Sequence, residues 1–600
     1  MSRQTMTEPS EVALSGSVTN PRADVAWERR GWRDTLRRFN PFRHLVVRIL
    51  TSRAKHPSLA GHPRLAQRLA RRVRAYSYGE DDLVALDGAP AGVQARRREG
   101  WALLGAELRA KAPCTLEVTA DIQSIVSDAG FVDHYRVPFQ FQRLAREALR
   151  VGMVVEESSG MRLRDLDGNW SYDVGGSYGV NLFGSDFYKA SIARAVAHAG
   201  ALGLVLGHYH PLVADNARRL RELSGLDEVS FHMSGTEAVM QAVRLARYHT
   251  RRPCIVRFAG AYHGWWDGVQ AGVGNPLPPR DVLTLADMSP RTLQLLRARD
   301  DIACVLVNPI QVMHPNATPP SDSTLVSGER RFRIDVEGYA SWLQALRATC
   351  AERRIVFILD EVFLGFRLAR GGAQEFFGVD ADLVTYGKSL GGGHPVGVLA
   401  GKASLMRRYR DDRPADIALA RGTFNAHPYV MAAMHEFLNH LDTPTVRAQY
   451  DTLQATWDRR AERFNARLME AGHPVRVANL VSVWSTVFLA PGCYNWLLQY
   501  YLRASGLSMS WVGTGRFIFP HDISDQELDA VCDRFLVAAD RMRRDGWWTP
   551  GAASTRPAIR NRVAREMARE MAREMVRALV PRRDERPAAS RASSDRSTRP

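Results

Sequence analysis

The sequence predicts an α/β fold in which a largely parallel sheet is covered by helices on both faces. Six short apolar runs, at 229–232, 255–258, 282–285, 302–307, 355–359 and 383–386, alternate with stretches of helical periodicity. Parallel strands need crossover connections, and strands buried on both faces read as continuous hydrophobic runs. At 600 residues the chain is too long for one core, so further units must flank this sheet. In such sheets ligands bind beyond the carboxyl ends of the strands, where candidate functional residues belong.

Taken in order, residues 1–26 are polar and predicted to be disordered. Residues 27–150 form a basic extension of mainly helical pattern. Pro41, Pro57 and Pro63 break its first part into short helices, and Leu65, Leu69 and Val73 fall at helical spacing among Arg64, Arg68, Arg71 and Arg72. Tyr135-Arg136-Val137-Pro138-Phe139 fits no regular element. Residues 161–167 alternate as an edge strand does, Asp167-Gly168-Asn169 is a turn signal, and 170–174 alternate again, which predicts a hairpin. Beyond the sheet region, 429–438 and 443–471 read as helices, 481–489 and 509–519 as strands, and 525–541 as a closing helix. Ala564-Arg565-Glu566-Met567 then recurs at 568–571 and 572–575. A four-residue repeat drifts around a 3.6-residue helix, so the methionines wind slowly about a charged helix that ends at Pro581, before a disordered tail.

With 45% hydrophobic and 24% charged residues the chain is globular in composition. The net charge of +17 resides in the appendages: residues 28–74 hold fourteen Lys/Arg against two acids, and 551–600 hold thirteen against six. The body between is near neutral, which argues against a nucleic-acid-binding core. Cys114, Cys254, Cys304, Cys350, Cys493 and Cys532 include no C-x-x-C pair, so neither a disulfide framework nor a zinc site is indicated. No apolar run approaches the length of a spanning helix, and no signal-peptide core is present. A soluble, cytoplasmic chain is the expectation.

The candidate site residues follow the strand ends. Lys388 stands just past the 383–386 run, in Thr385-Tyr386-Gly387-Lys388-Ser389-Leu390-Gly391-Gly392-Gly393. The spacing fails for a phosphate-binding P-loop, which leaves a Schiff-base lysine or an ordinary lysine in a glycine loop. Ser234-Gly235-Thr236 opens a helix and suits a phosphate, or serves as a plain cap. Gly260-Ala261-Tyr262-His263-Gly264-Trp265-Trp266 can stack on a flat ring, or form an aromatic corner. Asp360, at the end of a buried strand, needs a cation beside it, either a ligand's or an arginine such as Arg367. Taken together these groups ask for a cofactor that is flat, phosphorylated, basic at a ring nitrogen and able to offer a carbonyl. Pyridoxal 5′-phosphate (PLP) meets all four requirements.

Ser234-Gly235-Thr236-Glu237-Ala238, Tyr262-His263-Gly264, Asp360-Glu361-Val362 with Gly365-Phe366-Arg367, Gly387-Lys388 and Gly422-Thr423-Phe424 resemble the class III aminotransferases. Within them the chain is most similar to the glutamate-1-semialdehyde 2,1-aminomutases, over about residues 155–540. The resemblance implies the fold type I of PLP-dependent transferases, with a seven-stranded, mostly parallel sheet in a large domain and a smaller α+β domain from both chain ends. The expected boundaries are 151–200 for the lead-in, 201–440 for the large domain, 441–547 for the small one and 548–600 for the charged helix and tail. It implies a homodimer with shared active sites. By the resemblance, Lys388 forms the Schiff base and moves the proton, Asp360 pairs with the pyridine nitrogen, and Val362 and Tyr262 flank the ring. Gly235 and Thr236, with Ser234 adjacent, bind the phosphate; Thr423 reaches the partner's phosphate, and His263 supports. Asn308-Pro309 departs from the family's frequent Glu-Pro, and the aminomutase's N-terminal substrate-binding stretch has no convincing match beyond 135–138.

The expected activity is amino transfer between an amino donor and a carbonyl acceptor, with intramolecular aminomutase chemistry as the alternative. The basic segment 27–74 is expected to dock an acidic carrier protein. An anionic membrane is the second choice there, because Phe39, Phe42, Leu45 and Val46 could enter an interface beside the arginines.

Overall fold

The computed structural model describes residues 41–135, 137–316, 332–509 and 515–579. The expectations for 1–26, for Phe39 and the first part of the basic segment, for Arg136 and for the tail from Pro581 lie outside the described residues. The chain divides into a unit Met1–Ser52 and a unit Arg53–Pro600. In the first, the described residues start the helix Pro41–Ala54.

The second unit holds fourteen strands among its described residues. They are β1 (Glu157–Ser159), β2 (Arg162–Arg164), β3 (Trp170–Asp173), β4 (Glu228–His232), β5 (Cys254–Phe258), β6 (Val282–Leu285), β7 (Ile302–Val307), β8 (Val356–Asp360), β9 (Leu383–Gly387), β10 (Gly397–Gly401), β11 (Val475–Leu480), β12 (Val483–Phe488), β13 (Leu507–Ser508) and β14 (Arg516–Ile518). The main sheet has the order β4-β10-β9-β8-β7-β5-β6, and every pair is parallel except the two made by β10. This is the seven-stranded, mostly parallel sheet of fold type I.

The six apolar runs became β4 to β9, shifted by a residue at most. The seventh strand, β10, escaped the pattern because a glycine stands at each end of it and only Val398, Leu399 and Ala400 lie between. Its place explains the first glycine: a Cβ on Gly397 would lie 1.9 Å from Ser234 O. The strand therefore runs directly under the start of the helix Gly235–Thr250, and only glycine fits. On the sheet, Val239, Val243, Leu245 and Ala246 of that helix join Ile255, Leu306, Ile358 and Leu399 in one buried cluster.

The hairpin forms as β2 and β3, with β1 added at its edge and β13 parallel to β3, so residues 507–508 meet 172–173. The expected helix 443–471 is two helices, Pro444–Asp451 and Leu453–Glu470, broken where Thr452 leaves helical geometry at φ −117° and ψ 5°. The strand β11 was not foreseen, and it pairs with β12 over six residues.

The N-terminal extension has two structural duties within the second unit. Ala54 O accepts from Ala286 N and His56 N donates to Thr284 O, so the open edge at β6 is covered. An uncovered edge strand offers free N–H and C=O groups to other chains. Arg97, fully buried, forks onto Asp87 at 2.7 and 2.9 Å and also donates to Gly546 O and Thr549 O. The C-terminal repeat forms the helix Arg556–Leu579, and its first glutamate, Glu566, accepts from Tyr76 and Tyr78 at 2.9 and 2.7 Å. The winding is visible in exposure: Met567 and Met571 are half-buried, and Met575 is exposed.

Candidate active site

The parallel register sets the centre of the site. β8 and β9 run side by side with Asp360 opposite Thr385, so both strands end at the same edge. Asp360 is 2% exposed, and three donors hold it. The Thr385 hydroxyl donates to Oδ1 at 3.1 Å, and the Val362 N–H donates to the same oxygen at 3.2 Å. The His263 Nδ1 lies 2.7 Å from Oδ2. With that nitrogen as the donor, the carboxylate is fixed in direction. The other imidazole nitrogen, Nε2, is buried and has no hydrogen-bond partner among the described residues. Such a group calls for an explanation beyond hydrogen bonds within the protein.

The helix Gly235–Thr250 begins beside this carboxylate. Ser234 caps it, its Oγ accepting from Glu237 N, while Glu237 Oε2 accepts from Met233 N. The first N–H groups of the helix remain available to an anion. Close packing joins the motifs here. A Cβ on Gly235 would meet Val362 Cγ1 at 2.5 Å, and one on Gly264, at φ +87°, would meet Thr236 Oγ1 at 2.6 Å. The glycines therefore let the Asp360–Val362 turn and the Tyr262–Gly264 turn touch the helix start.

Lys388 follows β9 directly, at φ +48°, a left-handed conformation uncommon for a lysine. The turn points its half-buried side chain at Phe363, with Nζ 5.3 Å from the ring centroid. Burial pushes the ammonium below its ordinary range; the Asp360 charge pulls it back up and Arg367 pushes it down. A lysine that gives up its proton more readily is present as the neutral amine, the form that acts as nucleophile or base, over more of the pH range.

Four of the five motifs thus come together: Ser234–Thr236, Tyr262–His263, Asp360–Val362 and Lys388. Thr423 is exposed on a loop whose Gly422 would set a Cβ 4.0 Å from Glu237 Oε2. Tyr262 is 59% exposed. Its carbonyl accepts from Asn308 Nδ2 at 3.3 Å, so the residue that departs from Glu-Pro holds the aromatic turn.

Arg367 removes the alternative of an arginine partner for Asp360. It does not pair with Asp360; its guanidinium is buried among Ser482 Oγ and the carbonyls of Phe519, Gly179 and Asn181. Burial lowers it to about 10. It ties the loop after β8 to both the 179–181 segment and the end of the small sheet, a contact invisible in local sequence. The imidazole of His263 takes the place beside Asp360. Thr385 and Phe363 were also overlooked. A threonine in the otherwise apolar β9, aligned with the aspartate of the neighbouring strand, is the signal that could have revealed the first.

The two adjacent acids Asp360 and Glu361 divide their work. Glu361 faces away and accepts from Ala373 N at 2.6 Å and from Gln374 N at 3.3 Å. Burial pushes its carboxyl from 4.5 up to about 8, the two N–H donors pull it down, and the Asp360 charge adds to the rise. The folded chain therefore keeps this proton where the unfolded chain has lost it. The stability it contributes is complete below about pH 4.5 and lost as pH rises through about 8. Glu361→Gln, neutral at every pH, is expected to remove that slope. In thermal melts the difference between variant and wild type should move in the variant's favour across this window; a constant difference would show Glu361 to be ionised throughout.

The description Aminotransferase class-III belongs to the family model that matches residues 144–275 and 335–538. A glutamate-1-semialdehyde 2,1-aminomutase of Acetivibrio thermocellus is 33% identical over 296 residues, which cover 46% of this chain and 64% of that protein, short of two thirds of its length. Among solved structures, a transaminase with PLP bound is 26% identical, with a TM-score of 0.55, over 66% of this chain and 92% of that one. A glutamate-1-semialdehyde-aminomutase from Pseudomonas aeruginosa PAO1 shares the fold, with a TM-score of 0.61 at 17% identity, over 75% of this chain and 99% of that one.

Proposed function

Because the chain belongs to the class III aminotransferases, we propose that it is a PLP-dependent enzyme that moves an amino group between an amino donor and a carbonyl acceptor. The observation that carries this reading is the buried Asp360, fixed by His263 and Thr385, at the end of the strand beside the one that ends in Lys388.

The residues fit the cofactor. A fixed carboxylate suits a protonated pyridine nitrogen, the buried His263 Nε2 has no hydrogen-bond partner among the described residues, and the helix start at Ser234, Gly235 and Thr236 suits a phosphate. When bound, PLP supplies a carbonyl that condenses with amines and a ring that takes up negative charge. Lys388 would hold the cofactor through Nζ, and the same nitrogen would serve as the proton carrier. Asp360 would pair with the ring nitrogen and favour its protonated form, while His263 and Thr385 keep Asp360 in place. Val362, seated against Gly235, would pack on the ring, and Tyr262 would flank it from the other side. Thr423, exposed in the single chain, would serve the site of a second copy in a homodimer.

The 33% identical aminomutase favours a second reading, in which the amine returns to a neighbouring carbon of the same molecule. No observation supports an acidic carrier as the source of substrate. Incubating the PLP-loaded protein with a panel of amino donors and following conversion of the cofactor to its amine form tests the proposal. Conversion that stalls until a carbonyl acceptor is added identifies a transaminase, and continuous turnover of one substrate alone identifies an aminomutase. If no donor converts the cofactor, amino transfer is refuted.

A further inference from the structure

The segment ahead of the catalytic sheet carries a surface that amino transfer does not use. From 35 to 79 the sequence holds eleven Lys/Arg and no Asp or Glu. On the helix Pro41–Ala54, Phe42, Leu45, Val46 and Ile49 recur at the spacing of one helix face and are 72%, 53%, 37% and 43% exposed. The same helix bears Arg43, Arg48 and Arg53 and no acid.

The second unit repeats the pattern on the helix Pro63–Ala70. Gln67 fastens this helix, its Nε2 donating to Gly272 O at 3.0 Å and Asn275 O at 2.7 Å, beside the buried Ala66. Leu65 and Leu69 lie on the face turned away from Gln67, 50% and 39% exposed, next to the exposed Arg64 and Arg68. Large aliphatic side chains gathered on exposed faces and rimmed by arginine mark an interaction surface.

We propose that each of the helices Pro41–Ala54 and Pro63–Ala70, taken by itself, is a docking element for an anionic lipid bilayer. Each helix lies in the interface, with its leucine face at the boundary of headgroups and acyl chains and its arginines on the lipid phosphates. Two features favour lipid over an acidic protein. The apolar residues line exposed helix faces, whereas a protein hot spot is anchored in a well-packed pocket. The lack of any acid over the whole stretch suits a surface of uniform negative charge, whereas protein partners present both signs. Among the described residues no helix is long and apolar enough to cross a membrane, so the attachment is peripheral.

The test is co-sedimentation of the full-length protein with vesicles of phosphatidylcholine alone and of phosphatidylcholine mixed with phosphatidylglycerol. At low salt, partition onto the anionic vesicles is expected to exceed that onto the neutral ones at least about tenfold. Leu45→Ser with Ile49→Ser should weaken it by about tenfold or more, and Arg64→Gln with Arg68→Gln should weaken it and flatten its salt dependence. Melting temperature and PLP content should be those of wild type in both variants. Absence of binding to anionic vesicles at low salt overturns the proposal. So does equal binding by the serine variant, which would reduce the effect to surface adsorption. Retention by polyglutamate without vesicle binding would assign the surface to an acidic protein, and self-association lost in the serine variant without vesicle binding would assign it to a second copy. Either result also overturns it.

Discussion

Lys388→Ala is expected to fold, to keep non-covalent affinity for PLP and to lose turnover by about 10³-fold or more, since both the covalent link and the proton carrier disappear. The loss of a buried amine whose charge is disfavoured by its surroundings should not lower stability. Turnover on the best donor, compared with wild type, measures the effect. Reduction of the wild-type holoenzyme with borohydride should fix the cofactor's mass on the peptide containing Lys388 and leave the variant unlabelled. Partial rescue of the variant by a small added amine would show that the missing function is the amine itself. A variant that turns over at the wild-type rate would refute the assignment.

Asp360→Asn should retain the cofactor and slow the chemistry by about 10²-fold or more. The amide matches the carboxylate in shape, so Thr385 and the Val362 N–H keep an acceptor, but a neutral group cannot hold a ring nitrogen protonated. The readout is kcat together with bound cofactor: a fall in kcat at full occupancy supports the role, and an unchanged kcat sinks it. Asp360→Ala is a poorer probe. It would leave a cavity at a position only 2% exposed and strip His263 Nδ1 and Thr385 Oγ1 of their partner.

His263 offers the clearest case of a residue whose type was legible and whose task was not. Its neighbours in sequence place it in a turn after β5, and nothing local says that its Nδ1 meets a carboxylate 97 residues later. The pairing needs the β5-β7-β8 order of the sheet, which brings the loop after β5 toward the end of β8. Arg367 shows the reverse error. It stands seven residues from Asp360, and proximity in sequence suggested a pair, but the turn after β8 sends its guanidinium to Phe519, Ser482 and Asn181 instead.

By itself the sequence determined the elements whose causes are local. Buried parallel strands are runs of apolar residues, helix starts need small polar caps, and tight approaches need glycine; hence β4 to β9, Ser234-Gly235 and Gly387-Lys388 could all be read directly. The tertiary structure decided what depends on register and on distant backbone: β10, whose glycine exists because Ser234 O lies against it, the grip of His263 and Thr385 on Asp360, and the seat of Lys388 over Phe363. The physical reason is range. Patterning and backbone preference act over a few residues, whereas a buried charge finds its partner only after strands far apart in the chain have been set side by side.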